Sequence, residues 1–423
     1  MKKFWGIASL LFALVIALSA CSGSSGNGSG NKKELTAWAW NVNVPVLKEA
    51  AKEFAKNNPG FKLNITEMGN NDVYQKLTTG LQAGGQGLPD IVLVEDDHIQ
   101  GYLNAFPKAF VNVSDKGFDS EKSKFPSYKT DLLTKDGKMY GFPFDGGPTG
   151  VFYRTDYFKK AGIDPNSIKT WDDFINAGKT IKQKLGVDLV GLDLNGDDGL
   201  YRIMLNQQGD FYFDKSGNID FTSDASKKAM EVQKKLKDAG LVKNTSGWDA
   251  WIGAISQGKV AAVPTGAWLA GSLEQQAANL KGKWGVFPMP AFTADGNHAA
   301  NSGGSDYTIL SNSKNVDLAY KFLKFFSTSN DVQLTAMKGG LLPSLNTVYG
   351  DKMFTSPDPY FASQPIWKLF SDEMKNIPSV NYTTNYAVAK DEAVKAQSQI
   401  ANGTDITKAL EDAKSRLENR ISK

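Results

Sequence analysis

Residues 34–40, ELTAWAW, alternate and are rich in aromatics, a pattern that predicts a strand. After an Asn-Val-Asn turn, Pro45 suits the first position of a helix. Leu47, Ala50, Ala51 and Phe54 then recur at helical spacing until Asn57-Asn58-Pro59-Gly60 stops them. Residues 61–67 return as a strand and 72–82 as a helix. A Gly-rich loop at 83–88 leads into the continuous apolar run 91–94. Strand, helix, strand, helix, strand predicts a parallel sheet covered on both faces, hence an α/β fold. In such sheets ligands bind beyond the carboxyl ends of strands. Two places qualify: Trp40-Asn41, and the acidic loop Glu95-Asp96-Asp97-His98.

The stretch 140–154, YGFPFDGGPTGVFYR, reads as two short strands, 139–144 and 150–153, separated by Asp145-Gly146-Gly147-Pro148. It is expected to carry the chain from one lobe to another, with Asp145 either a turn former or a polar handle in a cleft. NSGGSD at 301–306 is a second Gly-dense candidate crossing. Between them, Thr170 and Asp173 have capping-box spacing before a helix to about 185, and 187–192 reads as a strand. The run DLNGDDG at 193–199 has Asp198 where a calcium loop needs Gly and Met204 where it needs a bidentate Glu, so it reads as a turn. Residues 225–239 form an amphipathic helix closed by Gly240. Strands at 259–263 and 284–289 follow, with a helix opening at Trp268 between them. Helices are predicted at 316–328, 331–337, 385–401 and 404–421, the last with Ile406, Leu410, Ala413 and Leu417 on one face.

At 423 residues the chain is expected to form two or three domains. With 41% hydrophobic and 22% charged residues it is an ordinary globular composition, and a net charge of +3 without a basic stripe argues against nucleic acid as a partner. Met1-Lys2-Lys3 followed by the apolar stretch 4–18 predicts a secretory leader too short for a comfortable membrane span. Leu18-Ser19-Ala20-Cys21 resembles a lipobox, in which Cys21, the chain's single cysteine, is lipidated. The Gly/Ser-rich segment 22–30 and the following residues to Lys33 predict a tether with a reach of roughly 20 Å. The mature protein is thus expected on the outer face of a bacterial cell membrane, held through the lipid alone.

Signs of catalysis are scarce. His98 and His298 have no zinc-type spacing to other ligands, the body has no cysteine, and the phosphate-binding and nucleophile-elbow motifs are missing. No metal or cofactor is expected. Two carboxylates suffice for a glycosidase, so a surface-anchored glycan hydrolase stays open as an alternative. Tryptophan carries the more telling pattern. Trp38, Trp40, Trp248, Trp251, Trp268 and Trp367 lie at predicted strand ends or helix starts. Some are expected in the core and about two to four facing a cleft. A sugar ring offers an apolar face of C–H groups and a rim of hydroxyls, which suits indole platforms beside Asp, Asn and backbone donors. Asp96, Asp97 and Asp145 would suit a polyamine as well, so a non-sugar solute is the other alternative.

Taken in order, LSAC at 18–21, LTAWAW at 35–40, LPDIVLVEDD at 88–97, KMYGFPFDGGPTGVFYR at 138–154, TWDDF at 170–174, GKVAAVPTGAWLAGSL at 258–273 and GGLLPSL at 339–345 resemble the extracellular solute-binding lipoproteins of carbohydrate ABC transporters, family 1, related to the maltose-binding proteins. The resemblance spans the whole chain. It implies a two-lobe periplasmic-binding-protein-like fold of type II with ligand in the cleft. The implied arrangement is a leader at 1–20, a lipidated Cys21 and tether at 21–33, a first lobe at 34–144 plus 305–345, and a second at 145–304 plus 346–423. It further implies a monomer that captures a sugar, an oligosaccharide by preference, without catalysis and delivers it to membrane permease subunits by hinge closure. The family's contacts map to Trp40, Asn41, Asp96, Asp97, Asp145 and Trp268, with Trp367 or Tyr360 completing the cleft. Trp248 and Trp251 are added from the residues themselves. Relatives often carry small hydroxyl residues where this chain has Asp-Gly-Gly.

Overall fold

The computed structural model describes residues 33–421; the leader, Cys21 and most of the tether lie outside the described residues. β1 (Glu34–Ala39) runs parallel between β2 (Lys62–Glu67) and β3 (Ile91–Glu95), with Glu34 opposite Lys62 and Ala37 opposite Ile91. The crossovers are α1 (Asn43–Asn57) and α2 (Asn70–Gln82). Leu47, Ala50 and Phe54 of α1 are buried, as their spacing requires. The acidic stretch after β3 is not a loop: α3 (Asp96–Ala105) begins there at once. Asp96 and Asp97 fall in its first turn, where carboxylates complement the positive end of the helix dipole.

The chain continues through α4 (Ser127–Leu132) and a small hairpin of β4 (Thr134–Lys135) and β5 (Lys138–Met139) into β6 (Phe142–Arg154). Then come α5 (Thr155–Ala161), α6 (Trp171–Leu185), β7 (Val190–Leu192), α7 (Gly199–Gln207), α8 (Asp224–Asp238), β8 (Val242–Asn244) and α9 (Gly247–Ser256). β9 (Ala262–Gly266), α10 (Leu269–Gln276), β10 (Trp284–Phe287) and β11 (Asn301–Ile309) follow. The last elements are α11 (Val316–Thr328), α12 (Asn330–Met337), β12 (Leu342–Pro343), α13 (Lys352–Thr355), α14 (Ile366–Glu373), α15 (Tyr386–Ala401) and α16 (Ile406–Ile421). The Thr170–Asp173 capping box is present, and Gly240 closes α8 at φ 66°. Ala409, Leu410, Ala413 and Leu417 are the buried face of α16.

β6 organises the molecule. Its first half pairs antiparallel with β11 and β12, and β11 in turn pairs with β3, so this half belongs to the sheet of β1–β3. Its second half pairs antiparallel with β9 and β10. The fold is therefore a two-lobed α/β architecture in which one strand serves both sub-sheets. Residues 33–421 accordingly group as a single unit.

The expectation of two short strands, 139–144 and 150–153, separated by Asp145-Gly146-Gly147-Pro148 is corrected here. β6 is one continuous strand of 13 residues, all buried, and Asp145 sits inside it opposite Ser305 and Pro343. Its glycines serve close approach. A Cβ on Gly147 would lie 2.4 Å from the Ser302 carbonyl oxygen, and one on Gly146 would lie 2.5 Å from the Tyr128 hydroxyl. Across from them Gly303 and Gly304 take φ of 104° and 99°, angles that side chains disfavour, at an irregularity in the β6–β11 register.

Gly147→Ala is expected to cost about 1–3 kcal/mol, because the obstructing atoms are backbone and cannot rotate away. Gly350→Ala, with nothing within 4 Å, serves as the control. Urea denaturation of the two variants measures the difference, and equal stabilities would refute the packing account.

Candidate functional site

Three indoles come together on one side of the crossing. Trp248 and Trp251 are three residues apart on α9 and so share a face. Trp268 caps α10 just after β9. The ring centroids lie 5.5 Å (Trp248–Trp251), 6.0 Å (Trp248–Trp268) and 6.1 Å (Trp251–Trp268) apart. Trp248 is 46% exposed, unusual for so large an apolar residue. Trp268 is fixed by Nε1 donating to the Ser302 carbonyl at 2.9 Å, which ties the platform to β11. These rings line a cavity of ≈ 410 Å³ together with Asp193, Thr265 and Arg202.

A second cavity of ≈ 250 Å³ is lined by Glu95, Asp97, Arg202, Trp268, Asn301 and Tyr382, among others. The two cavities share Arg202, Ile203, Trp268 and Ser302. Asp97 receives the Tyr386 hydroxyl at 3.0 Å, meets His98 Nδ1 at 2.6 Å and has Arg202 Nη1 at 3.6 Å. Burial alone would raise the Asp97 pKa, but His98, Arg202 and Tyr386 together hold it well below the usual carboxylate range. Burial disfavours the charged form of His98, and the Asp97 hydrogen bond outweighs it, so its pKa is raised. The ring of His98 stacks on Tyr74 with centroids 4.1 Å apart. Glu95, raised by burial and by Asp97, receives the Tyr74 hydroxyl at 2.8 Å.

Beneath the second cavity lies a buried ionic cluster. Lys129 on α4 is fully buried, contacts Asp96 and stands 2.8 Å from Asp306. Asp306 packs against Asp96 in the same cluster, and Asp96 also receives Asn301 Nδ2 at 3.2 Å. Asp145 is a third buried carboxylate, bonded by the Ser305 N–H at 2.9 Å. Three carboxylates share one ammonium out of water, where unpaired charge is very costly. Burial accordingly pushes Asp145 up to about 7 in spite of Lys129, and raises Asp306 well above its ordinary value. For Lys129, burial works against the charge, and Asp306 and Asp96 more than restore it, raising its pKa.

The expected site residues distribute unevenly. Trp248, Trp251 and Trp268 meet at one cavity, and Asp96 and Asp97 line the other. Asp145 is a strand residue bound to the crossing. Trp40 is buried with its edge against Tyr74, and lines neither cavity; Asn41 follows it, exposed, at φ 47°. Tyr360 and Trp367 also lie outside both. The Tyr360 hydroxyl bonds the Leu273 and Ala277 carbonyls at the end of α10, and Trp367 packs on Phe370 within α14. Sequence reasoning missed Arg202, Tyr382, Tyr386 and Lys129. Only Arg202 left a trace: Asp198 and Arg202 are four apart, and they pair at 2.9 Å. His98 does have ligand-type neighbours in space, since Glu95, Asp97 and His98 place ligand atoms within 4.8 Å of one another. The direct Asp97–His98 hydrogen bond occupies that gap, so no metal is assigned to it.

Comparison with known proteins gives a consistent picture. The family described as bacterial extracellular solute-binding protein matches residues 49–362. A lactose-binding protein of Rhizobium radiobacter is 37% identical over 417 residues, covering 96% of this chain and 96% of that protein. An arabinooligosaccharide-binding protein of Bacillus subtilis is 30% identical over 329 residues, 76% of this chain and 75% of the other. Among solved structures, the ABC-transporter-associated binding protein of B. animalis subsp. lactis Bl-04, in complex with β-1,6-galactobiose, superposes with a TM-score of 0.71 at 27% identity. That match covers 92% of this chain and 97% of the other.

The pKa of Asp145 sets a pH dependence. A carboxyl whose native pKa exceeds its unfolded value of about 3.9 keeps its proton better when folded, so its contribution to stability is present at low pH and lost as pH rises through about 7. Stability is expected to fall between about pH 5 and about pH 8, and to fall less in Asp145→Asn, by about 1 kcal/mol or more. Denaturation at both pH values checks this, and parallel losses in the two proteins would count against it.

Proposed function

The chain belongs to the bacterial extracellular solute-binding proteins, and on that premise we propose that it captures an oligosaccharide of at least two rings outside the cell and delivers it to ABC-transporter permease subunits. It is a carbohydrate-binding protein and not an enzyme, so the ligand leaves unaltered. The observation that carries this reading is the three-indole cavity that shares Arg202, Ile203, Trp268 and Ser302 with a polar one. Apolar sugar faces lie on the indoles, and hydroxyls meet carboxylates, amide and guanidinium beyond. Relatives that take lactose, arabinooligosaccharides or β-1,6-galactobiose support a ligand of that kind.

In this reading the lobes, 34–144 plus 305–345 and 145–304 plus 346–423, move about the crossing made by β6 and β11. Ligand bridging them favours the closed state recognised by the permease. Cys21 carries the lipid that keeps a monomeric body at the outer face of the cell membrane and raises its concentration near its transporter. Cys21→Ser is expected to move the protein from the membrane fraction to the medium, read by immunoblot of both; unchanged partition would remove the anchor from the account.

The acidic lining of the second cavity also favours a cation, which makes a polyamine the competing ligand. A thermal-shift panel of lactose, galactobiose, arabinobiose, spermidine and a short peptide separates the two, since a ligand of the native state raises the melting temperature. Stabilisation by disaccharides alone is expected; stabilisation by spermidine alone would reverse the reading. Trp251→Ala and Trp268→Ala are each expected to weaken the best sugar about tenfold or more, with the fold retained. Titration calorimetry measures it, and unaltered affinity in both would dismiss the indole platform.

A further inference from the structure

Arg202, Ile203, Trp268 and Ser302 line both cavities, and Arg202 is the charged member of the four. Its guanidinium is held from behind. Nε donates to Asp198 Oδ1 at 2.9 Å, and Nη1 donates to the Tyr386 hydroxyl at 2.7 Å. Asp198 is itself fully buried and held by the Tyr212 hydroxyl, so this anchor has no room to swing. Nη2 is different. Its carboxylate neighbour, Asp197 Oδ1, stands 3.9 Å away, beyond hydrogen-bond reach. A preorganised donor with N–H groups to spare therefore lines both the aromatic compartment and the acidic one.

A guanidinium only donates, while a hydroxyl both donates and accepts. In a chain of sugar rings the atoms that only accept are the ring oxygens and the oxygen that links one ring to the next. Arg202 is thus matched to the joint of a two-ring ligand. In the second cavity, Glu95 Oε1 has Asn70 Nδ2 at 3.5 Å, a long contact that leaves its lone pairs open to a ligand hydroxyl. Three carboxylates line this compartment, Asp96 paired with Lys129 and Glu95 and Asp97 beside it, against one guanidinium already engaged by Asp198 and Tyr386. A carboxylate or phosphate on the second ring would meet net repulsion there.

Resting on the capture reading above, we infer that Arg202 recognises the linkage between two neutral sugar rings, one on the indoles and one beside Glu95 and Asp97. Through that contact it selects disaccharide units over single rings and over anionic sugars. A purely scaffolding Arg202, serving only Asp198 and Tyr386, would affect all ligands alike.

Titration calorimetry of the full chain with lactose, cellobiose, galactose, glucose and galacturonate tests this, using the parent protein, Arg202→Lys, Arg202→Met and Glu95→Gln. The parent is expected to bind a disaccharide about tenfold or more tighter than its component monosaccharides, and galacturonate no better than galactose. Both Arg202 variants should shrink that ratio to within about threefold, mainly through loss of disaccharide affinity. Glu95→Gln keeps the guanidinium and its anchor, and should lower disaccharide affinity about tenfold with a smaller effect on monosaccharides. Arg202→Lys retains a cation for Asp198, and Glu95→Gln leaves that pair untouched, so a folding defect in Arg202→Met does not decide the matter. A ratio that survives in Arg202→Lys, or galacturonate binding tighter than galactose, overturns the inference while leaving sugar capture standing. Failure of every sugar to bind the parent overturns both.

Discussion

The structure depends on a close backbone contact. β6 is shared by two sub-sheets, and where it passes β11 the main chains are pressed together more tightly than any side chain would allow, at Gly147 against Ser302 and at Gly304 against Asp145 and Asp96. A Cβ on Gly304 would lie 2.6 Å from the Asp96 carboxylate. The same few residues thus fix the strand pairing, the position of a buried carboxylate and the floor of the second cavity. Glycine pays for this with conformational entropy, and the antiparallel pairing and the burial of all of β6 offset it.

That contact also explains the placing of polar and aromatic groups. Ser302, pinned between Gly147 and Gly266, turns its carbonyl to Trp268 Nε1. The indole is held by the crossing itself, so a platform built on the second sub-sheet keeps its register with the acids at the end of β3. Asn301 makes the complementary connection. Its side chain receives the Gly147 N–H and donates to Asp96, and its own N–H donates to Asn206 Oδ1 on α7. Movement at the crossing would disturb all of these bonds together, which favours discrete arrangements over a continuum.

Much of this was legible in the chain. Strands β1 to β3, the helices between them, the capping box at Thr170 and the apolar face of α16 were each carried by local periodicity or capping chemistry, which does not depend on distant partners. The Asp145-Gly146-Gly147-Pro148 stretch reads as a break between two short strands because the same glycine signal serves turns and close approaches, and only the distant Ser302 decides between them. Two of the six noted tryptophans show the same limit. Trp40 and Trp367 share the local setting of Trp268, yet Tyr74 and Phe370 occupy the space beside them. Lys129 and Tyr386 left no signal at all. Each acts through residues more than thirty positions away, Asp96 and Asp97 respectively, so no window along the chain contains both partners.

The buried charges are better understood as specifying geometry than as adding stability. A well-packed apolar set in place of Lys129, Asp96, Asp306 and Asp145 would spare the desolvation of four ionisable groups. It would not fix α3, α4, β6 and β11 to one another in a single arrangement, because dispersion contacts tolerate sliding that an ion pair at 2.8 Å does not. With α4 and α3 locked in this way, Asp97 is presented to the cavity at a fixed height, one residue beyond the buried Asp96 on the first turn of α3. The more exposed acid of the cavity wall is positioned by its buried neighbour.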